Sequence, residues 1–275
     1  MFQDLPDGFY PKKIPSKSRR HTPKVLLSVT LARPEKKEGF GFYGGKVEMI
    51  RCTKKKVAER NSKYHKRGSI YQLDTSINSD MFQKQLTKKI FPAIKKNKSL
   101  LDKSERFAHQ LKEKKLDLNL PEGCKYADLY LQTDNAPPHC GKSKRLSALI
   151  RKAGGRNSLD GVYYGPKVRL YYQPPDSPDL NVMDLGFFTK LWIGVHKYLK
   201  DYDHTPTVED VWEAAQAVWK SIPSLDIEIL FRTLDARMKQ VIECNGRNEM
   251  PIPHGRIRQM AEAEDNELKN MKKSS

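Results

Sequence analysis

Two apolar segments of this sequence run straight into proline pairs. Tyr126–Thr133 (YADLYLQT) stops at Asp134-Asn135-Ala136-Pro137-Pro138, and Lys167–Gln173 (KVRLYYQ) stops at Pro174-Pro175. Proline has no N–H to give a neighbouring strand, so both segments read as strands that must end where they do. If the two are neighbours in a sheet, the residues that follow each of them gather at one rim. The helical patterns between and after them then fix the class as α/β.

The remaining elements follow from periodicity. Lys24–Arg33 (KVLLSVTLAR), dense in Val and Leu and stopped by Pro34, predicts a strand, and Lys46–Cys52 predicts another, entered through a turn at Gly44-Gly45. The basic stretch from there to Arg67 reads as an exposed loop, and Ser69–Leu73 as a short further strand. From Ser79 the apolar spacing lengthens to three or four residues through Phe82, Leu86, Ile90 and Ile94, which predicts a helix to about Lys96 with Pro92 as an internal kink. Leu100–Lys115 and Ser143–Ala153 predict further helices, Asn181 opens one to about Leu199, and Val208–Trp219 and Ile227–Ile242 add two more. Trp192, Trp212 and Trp219 share those apolar stripes and are expected in the core. The organisation expected is a basic extended lead-in over 1–23, a mixed sheet flanked by helices over 24–200, a helical extension over 201–259 and a charged, frayed tail over 260–275.

No apolar run approaches the ~18–20 residues of a membrane-spanning helix. The N-terminus, MFQDLPDGFYPKK, has acids and prolines where a secretion signal would have a basic start and an apolar segment. An intracellular protein, nuclear or otherwise, is expected, not a secreted one. Cys52, Cys124, Cys140 and Cys244 are widely spaced without a C-x-x-C pair, so reduced thiols are expected. The neighbours His139-Cys140 cannot by themselves complete a tetrahedral metal shell.

Charge narrows the partner. The chain carries 51 Lys+Arg against 33 Asp+Glu, a formal net charge of +18. All of the excess lies in residues 1–150, with 33 basic and 15 acidic residues, whereas 151–275 hold 18 of each. Pro11–Lys24 has six basic residues and no acid, among them Lys12, Lys13, Arg19 and Arg20. Arg51–Arg67 has eight against one, including Lys54, Lys55, Lys56 and Arg67. A solvated face would account for any one such run. Several together point to a polyanion, because Lys and Arg beside phosphates release condensed counterions. Composition does not separate DNA from RNA.

Two acids fall where α/β folds build sites. Asp134 stands at the carboxyl end of its strand, and Asp184 in the first turn of the helix after the next strand. Converging carboxylates suit a hard cation, since Mg²⁺ is held by one or two of them together with substrate phosphate and water. Plainer roles compete: Asp134-Asn135 as an Asx turn, and Asn181 with Asp184 as a capping-box variant. Asp176 and Asp179 share the same loop and stay open as ligands.

The residues that carry these acids also carry a resemblance. Leu131–His139 (LQTDNAPPH) and Gln173–Phe188 (QPPDSPDLNVMDLGFF) resemble the second and third catalytic blocks of Tc1/mariner-type transposases, especially mariner-like elements whose third acid is Asp. Lys24–Pro34, Gly44–Val47, Ile90–Lys95 and the stretch from Ile222 through Ile252–Gly255 are similar to the rest of the family pattern, so the likeness covers nearly the whole chain. It implies an RNase H-like fold with a five-stranded mixed sheet, and DNA cleavage and strand transfer assisted by Mg²⁺ or Mn²⁺. Asp134 matches the second acid and Asp184 the third, with Asn135, His139 and Asn181 in supporting, positioning roles. DNA is the implied partner, and a homodimer is compatible with the family.

Two departures qualify it. The 50-residue interval from Asp134 to Asp184 is long for the family, with the surplus in Gly141–Gly165, an insertion that costs little because loop-closure entropy grows by only ~0.6 kcal/mol per doubling. The family's first acid belongs to a D-E-x-W-F-like block well upstream of the segment matching Lys24–Pro34, and Asp4 and Asp7 lie too close to that segment to be it. The helix-turn-helix region is not found either. The expectation is an N-terminally truncated member, its first strand missing, that keeps nucleic-acid binding with little or no strand transfer. The alternative is a non-enzymatic DNA-binding module with vestigial acids. An RNA-associated protein is a third reading, with no aromatic stacking motif behind it.

Overall fold

A computed structural model describes residues 24–62, 65–114, 124–139, 144–155, 158–159, 162–163, 165–203, 205–246 and 254–271. The chain is mixed α/β and forms two compact units, each discontinuous in sequence. One gathers the described residues of 29–50, 77–185 and 224–275, the other those of 1–28, 51–76 and 186–223.

In the first unit, β1 (Leu27–Leu31, its first two residues belonging to the second unit) pairs with β4 (Lys46–Arg51). Ala32 donates to the Gly45 carbonyl at 2.8 Å, and φ values of 76° at Gly44 and 92° at Gly45 meet the glycine requirement read from the sequence. Between them lies a hairpin that periodicity did not reveal, β2 (Glu35–Lys37) against β3 (Gly41–Tyr43). β7 (Leu129–Thr133) and β10 (Val168–Tyr172) are parallel, in register Leu129↔Val168 through Thr133↔Tyr172. The two segments that end at prolines are therefore neighbours.

The helix expected over 79–96 is present as α1 (Ser79–Gln85), a π-turn (Leu86–Ile90) and α2 (Phe91–Lys96). Asn78 caps it, accepting from the Met81 N–H at 2.9 Å. The wide turn lies just before Pro92, and the Phe91 N–H reaches back five residues to the Leu86 carbonyl. Pro92 cannot donate to Lys88 and its ring crowds that carbonyl, so a wider turn accommodates it without ending the helix. Phe82, Leu86, Ile90, Phe91 and Ile94 pack with Ile50, Val168 and Ile150 of α4 (Lys144–Gly154) as the core. α3 (Lys98–Glu113) follows, capped by Asn97. The insertion expected over 141–165 contains α4 and a short hairpin, β8 (Ser158–Leu159) with β9 (Val162–Tyr163).

β1 and β7 each have one strand neighbour among the described residues. Between them is a cavity of about 240 Å³, lined by residues 30–33 on one side and 129–131 on the other, with Ile94, Leu100 and Phe231 completing the apolar wall.

Two helices complete this unit, α7 (Ser224–Glu243) and α8 (His254–Asn270). The tail expected to fray is thus helical to Asn270. Its charges are committed: Asp265, nearly fully buried, accepts from the Phe42 N–H at 3.0 Å and from Lys269, while Glu264 pairs with Arg232 and Lys36. On α7 the buried Glu228 takes two bonds from Arg33, at 3.0 and 3.1 Å, and one from Arg232 at 2.9 Å.

In the second unit, β5 (Thr53–Val57) and β6 (Ile70–Asp74) form an antiparallel two-stranded ribbon, so the basic stretch expected as a loop is in part a strand. α5 (Phe188–Leu199) packs on α6 (Val208–Ser221), whose first turn carries a reciprocal capping box between Thr207 and Asp210. On α5 the buried stripe is Leu191, Val195 and Leu199. Trp192 lies one step off that stripe and is 54% exposed, correcting its expected place in the core. Trp219 is partly buried and meets Phe187 edge-on.

Candidate functional site

β7 and β10 end at the same rim of the first unit, and their loops are laced there by side chains. The Gln132 amide donates to the Leu180 carbonyl at 2.5 Å, and Asn135 Nδ2 donates to the Gln173 carbonyl. Asn135 thereby ties the Asp134 turn to the end of β10.

Asp134 makes the Asx turn read from the sequence, its Oδ1 accepting from the Ala136 N–H at 3.0 Å. The same oxygen is bonded by His139 Nδ1, whose ring lies 4.3 Å from that of Phe82 and whose carbonyl accepts from the Tyr172 hydroxyl at 3.2 Å. Both bonds end on Oδ1, and Oδ2 is committed by neither. The turn reading and the site reading are compatible.

Asp184 approaches by a different route. Pro178–Leu180 form a short 3₁₀ turn, and Met183–Phe187 a π-turn in which Gly186 has φ 151°. Asn181 Oδ1 accepts from the Met183 N–H at 3.0 Å, and the Asn181 carbonyl accepts from the Asp184 N–H at 3.1 Å and the Leu185 N–H at 2.9 Å. The Asn181 backbone N–H is used by the Pro178 carbonyl, and its side chain bonds the Asp184 carboxyl. The reciprocal capping box expected at this position is therefore replaced by a turn in which Asn181 holds both backbone and acid.

The electrostatics couple the two acids. Partial burial pushes the Asp184 carboxyl above its usual pKa, the charge of Asp134 raises it further, and the Asn181 bond opposes both. No group of three or more His, Cys, Asp or Glu placed to hold a metal occurs among the described residues. Among the described residues the rim offers two carboxylates, the number that can hold one hard dication when water and phosphate oxygens complete its shell, and not the three of a two-ion site.

The neighbouring acids separate on geometry. Asp179 Oδ2 accepts from Arg237 Nη2 at 2.5 Å, and the Arg237 side chain is only 2% exposed. Asp179 is committed to that pair, which anchors the loop carrying Asp184 to α7. Asp176 sits in an exposed turn at φ 52°. Arg237 was missed by sequence reasoning, although one signal was present: it continues the buried stripe Ile227, Leu230, Leu234 of α7, where a cation needs a partner.

Of the basic residues singled out as polyanion contacts, Lys54, Lys55, Lys56 and Arg67 are exposed, the lysines on β5 of the second unit. Lys12, Lys13, Arg19 and Arg20 lie outside the described residues, as does Cys140. Arg51 is absorbed structurally, bonding Asp74 at 2.7 and 2.9 Å and Glu209 at 2.7 and 2.9 Å. No helix among the described residues is long and apolar enough to cross a membrane.

No family model, no curated protein and no solved structure matches this chain.

Proposed function

We propose that this chain is a DNA-binding protein of mariner-like transposase lineage, with an RNase H-like core in which Asp134 and Asp184 hold one Mg²⁺ or Mn²⁺ against a DNA phosphate. The observation that supports this reading is that β7 and β10 run parallel and end side by side ahead of the segments carrying Asp134 and Asp184, with the Asp134 charge adding to burial in raising the Asp184 pKa. The sheet geometry supports it. One further strand in the cavity between β1 and β7 would join two two-stranded sheets into a five-stranded mixed sheet in the order β4, β1, added strand, β7, β10.

The metal would polarise a phosphoryl oxygen and orient an attacking water. This chain's own residues supply the frame. His139 and the Ala136 N–H fix one oxygen of Asp134, Asn181 and the Leu180–Leu185 turn place Asp184, and Arg237 through Asp179 holds the loop between them. With two acids among the described residues, cleavage is slow and binding dominates.

Plasmid nicking in Mn²⁺ is the test. A nick that disappears in Asp134→Asn and in Asp184→Asn supports the catalytic reading. Equal nicking by wild type and both variants overturns it. A second reading, a non-enzymatic DNA-binding module with vestigial acids, draws on there being no third metal-ligating group beside the pair among the described residues. It requires that both variants bind duplex DNA as well as or better than wild type, with no metal-dependent cleavage by any of the three.

A further inference from the structure

β5 presents three successive lysines, and successive strand residues point to opposite faces. Lys54 and Lys56 share one face with their cross-strand partners Leu73 and Tyr71. Lys55 lies on the other with Gln72, Val57 and Ile70. All three lysines are exposed, as are Val57 (53%) and Ile70 (68%), which face each other at the turn end of the ribbon. Arg60, Lys66 and Arg67 extend the positive charge beyond that end, against the single acid Glu59.

The ribbon is braced at its base and within the loop. Arg51 is bidentate to Asp74 at one end, and His65 stacks on Tyr71 with 4.0 Å between rings. Among the described residues neither strand has another neighbour, so both outer edges are unpaired. A two-stranded ribbon with cations on both faces gains little from a flat anionic surface, which touches only one of them. A groove with phosphates along both walls engages both. The major groove of duplex DNA, about 12 Å wide and 8.5 Å deep, admits a two-stranded ribbon.

We infer that the ribbon Thr53–Val57/Ile70–Asp74 is a DNA-reading arm that enters the major groove, with Lys54 and Lys56 on one phosphate wall, Lys55 on the other, and the Val57/Ile70 end toward the base edges. This rests on the DNA-binding reading above and specifies its mode.

The experiment measures binding of the full chain to a fluorescein-labelled 30-bp duplex by anisotropy across a salt series. Methyl green serves as major-groove competitor and netropsin as minor-groove competitor. Lys55→Ala is expected to lower the slope of log K against log salt by about 0.9, and Lys54→Ala/Lys56→Ala by about 1.8, because each lysine lost leaves one phosphate unneutralised. Methyl green is expected to displace the protein and netropsin to leave it bound. If the duplex is bound but either variant leaves the slope unchanged, or netropsin alone displaces the protein, the groove assignment is overturned while DNA binding stands. If the full chain does not bind duplex even at low salt, both fall together. These substitutions are at exposed positions, and unchanged far-UV circular dichroism separates lost contacts from lost folding.

Discussion

Arg237 of α7 donates to Asp179 at 2.5 Å from a nearly fully buried position, pinning the loop that delivers Asp184 to the helix beneath it. Removing the cation leaves Asp179 partly buried and unpaired. Arg237→Met is expected to destabilise the fold by about 3 kcal/mol, the usual scale for breaking such a pair from one side. Asp179→Asn on that background should recover part of the loss. Urea denaturation of the four proteins of the double-mutant cycle measures both effects, and a cost under about 0.5 kcal/mol for Arg237→Met would show that the pair does not hold the loop.

The raised pKa of Asp184 gives stability a defined pH dependence. The folded state keeps this proton to higher pH than the unfolded state, so the group's contribution declines as pH rises from the unfolded value toward the folded one, and stays reduced above it. Asp184→Asn should therefore gain on wild type between pH 3 and pH 7, melting about 1 °C or more higher at pH 7. Adding Mg²⁺ should reverse the order, because only the wild type has the second carboxylate to hold it. Thermal melts at the two pH values, with and without 10 mM Mg²⁺, check the sign.

Gly154 makes the opposite case from an ordinary helical glycine. Replacing glycine by alanine within a helix commonly stabilises by about 1 kcal/mol. Here the added Cβ would overlap the Val168 carbonyl oxygen of β10. Gly154→Ala is expected to cost about 2 kcal/mol instead, by forcing α4 away from the strand. A stabilised variant in chemical denaturation would contradict the close packing of α4 on β10.

Hydrogen exchange should report the two unmatched strand edges. The Ala32 N–H faces β4 and the Leu129 N–H faces β10, donating at 2.8 Å in each case. Alternation then turns the amides of Val29, Leu31 and Tyr130 the other way, toward the cavity. Those three are expected to exchange faster than Thr30, Ala32, Leu129 and Leu131. Equal protection on both sides would mean that the cavity edges are paired after all.

The two parallel strands and their ends were legible in the sequence because proline acts locally: Pro137-Pro138 and Pro174-Pro175 stop β7 and β10 where they do. What the sequence hid is long-range or non-periodic. β5 escaped because Lys54, Lys55 and Lys56 lack alternating polarity, the ribbon being wet on both faces. α8 escaped because its inward positions include Asp265, an acid whose burial depends on Lys269 and on the Phe42 N–H more than 200 residues away in sequence. The Asp179–Arg237 pair links two residues whose individual contexts look ordinary. Trp192 was misplaced by one helical step, about 100° of rotation, which suffices to turn a side chain from inside to outside.

The cavity between β1 and β7 also bears on handling and fate. A slot walled by Leu31, Leu129 and Leu131, with a backbone ladder begun on both sides, is a template for any extended apolar peptide that reaches it. Neighbouring copies offer such peptides whenever they unfold, so the yield of monodisperse protein should fall as its concentration rises. The like charge carried by every copy is the chief force keeping them apart, and high salt removes it. Dilute, low-salt solution is where this molecule keeps its own company.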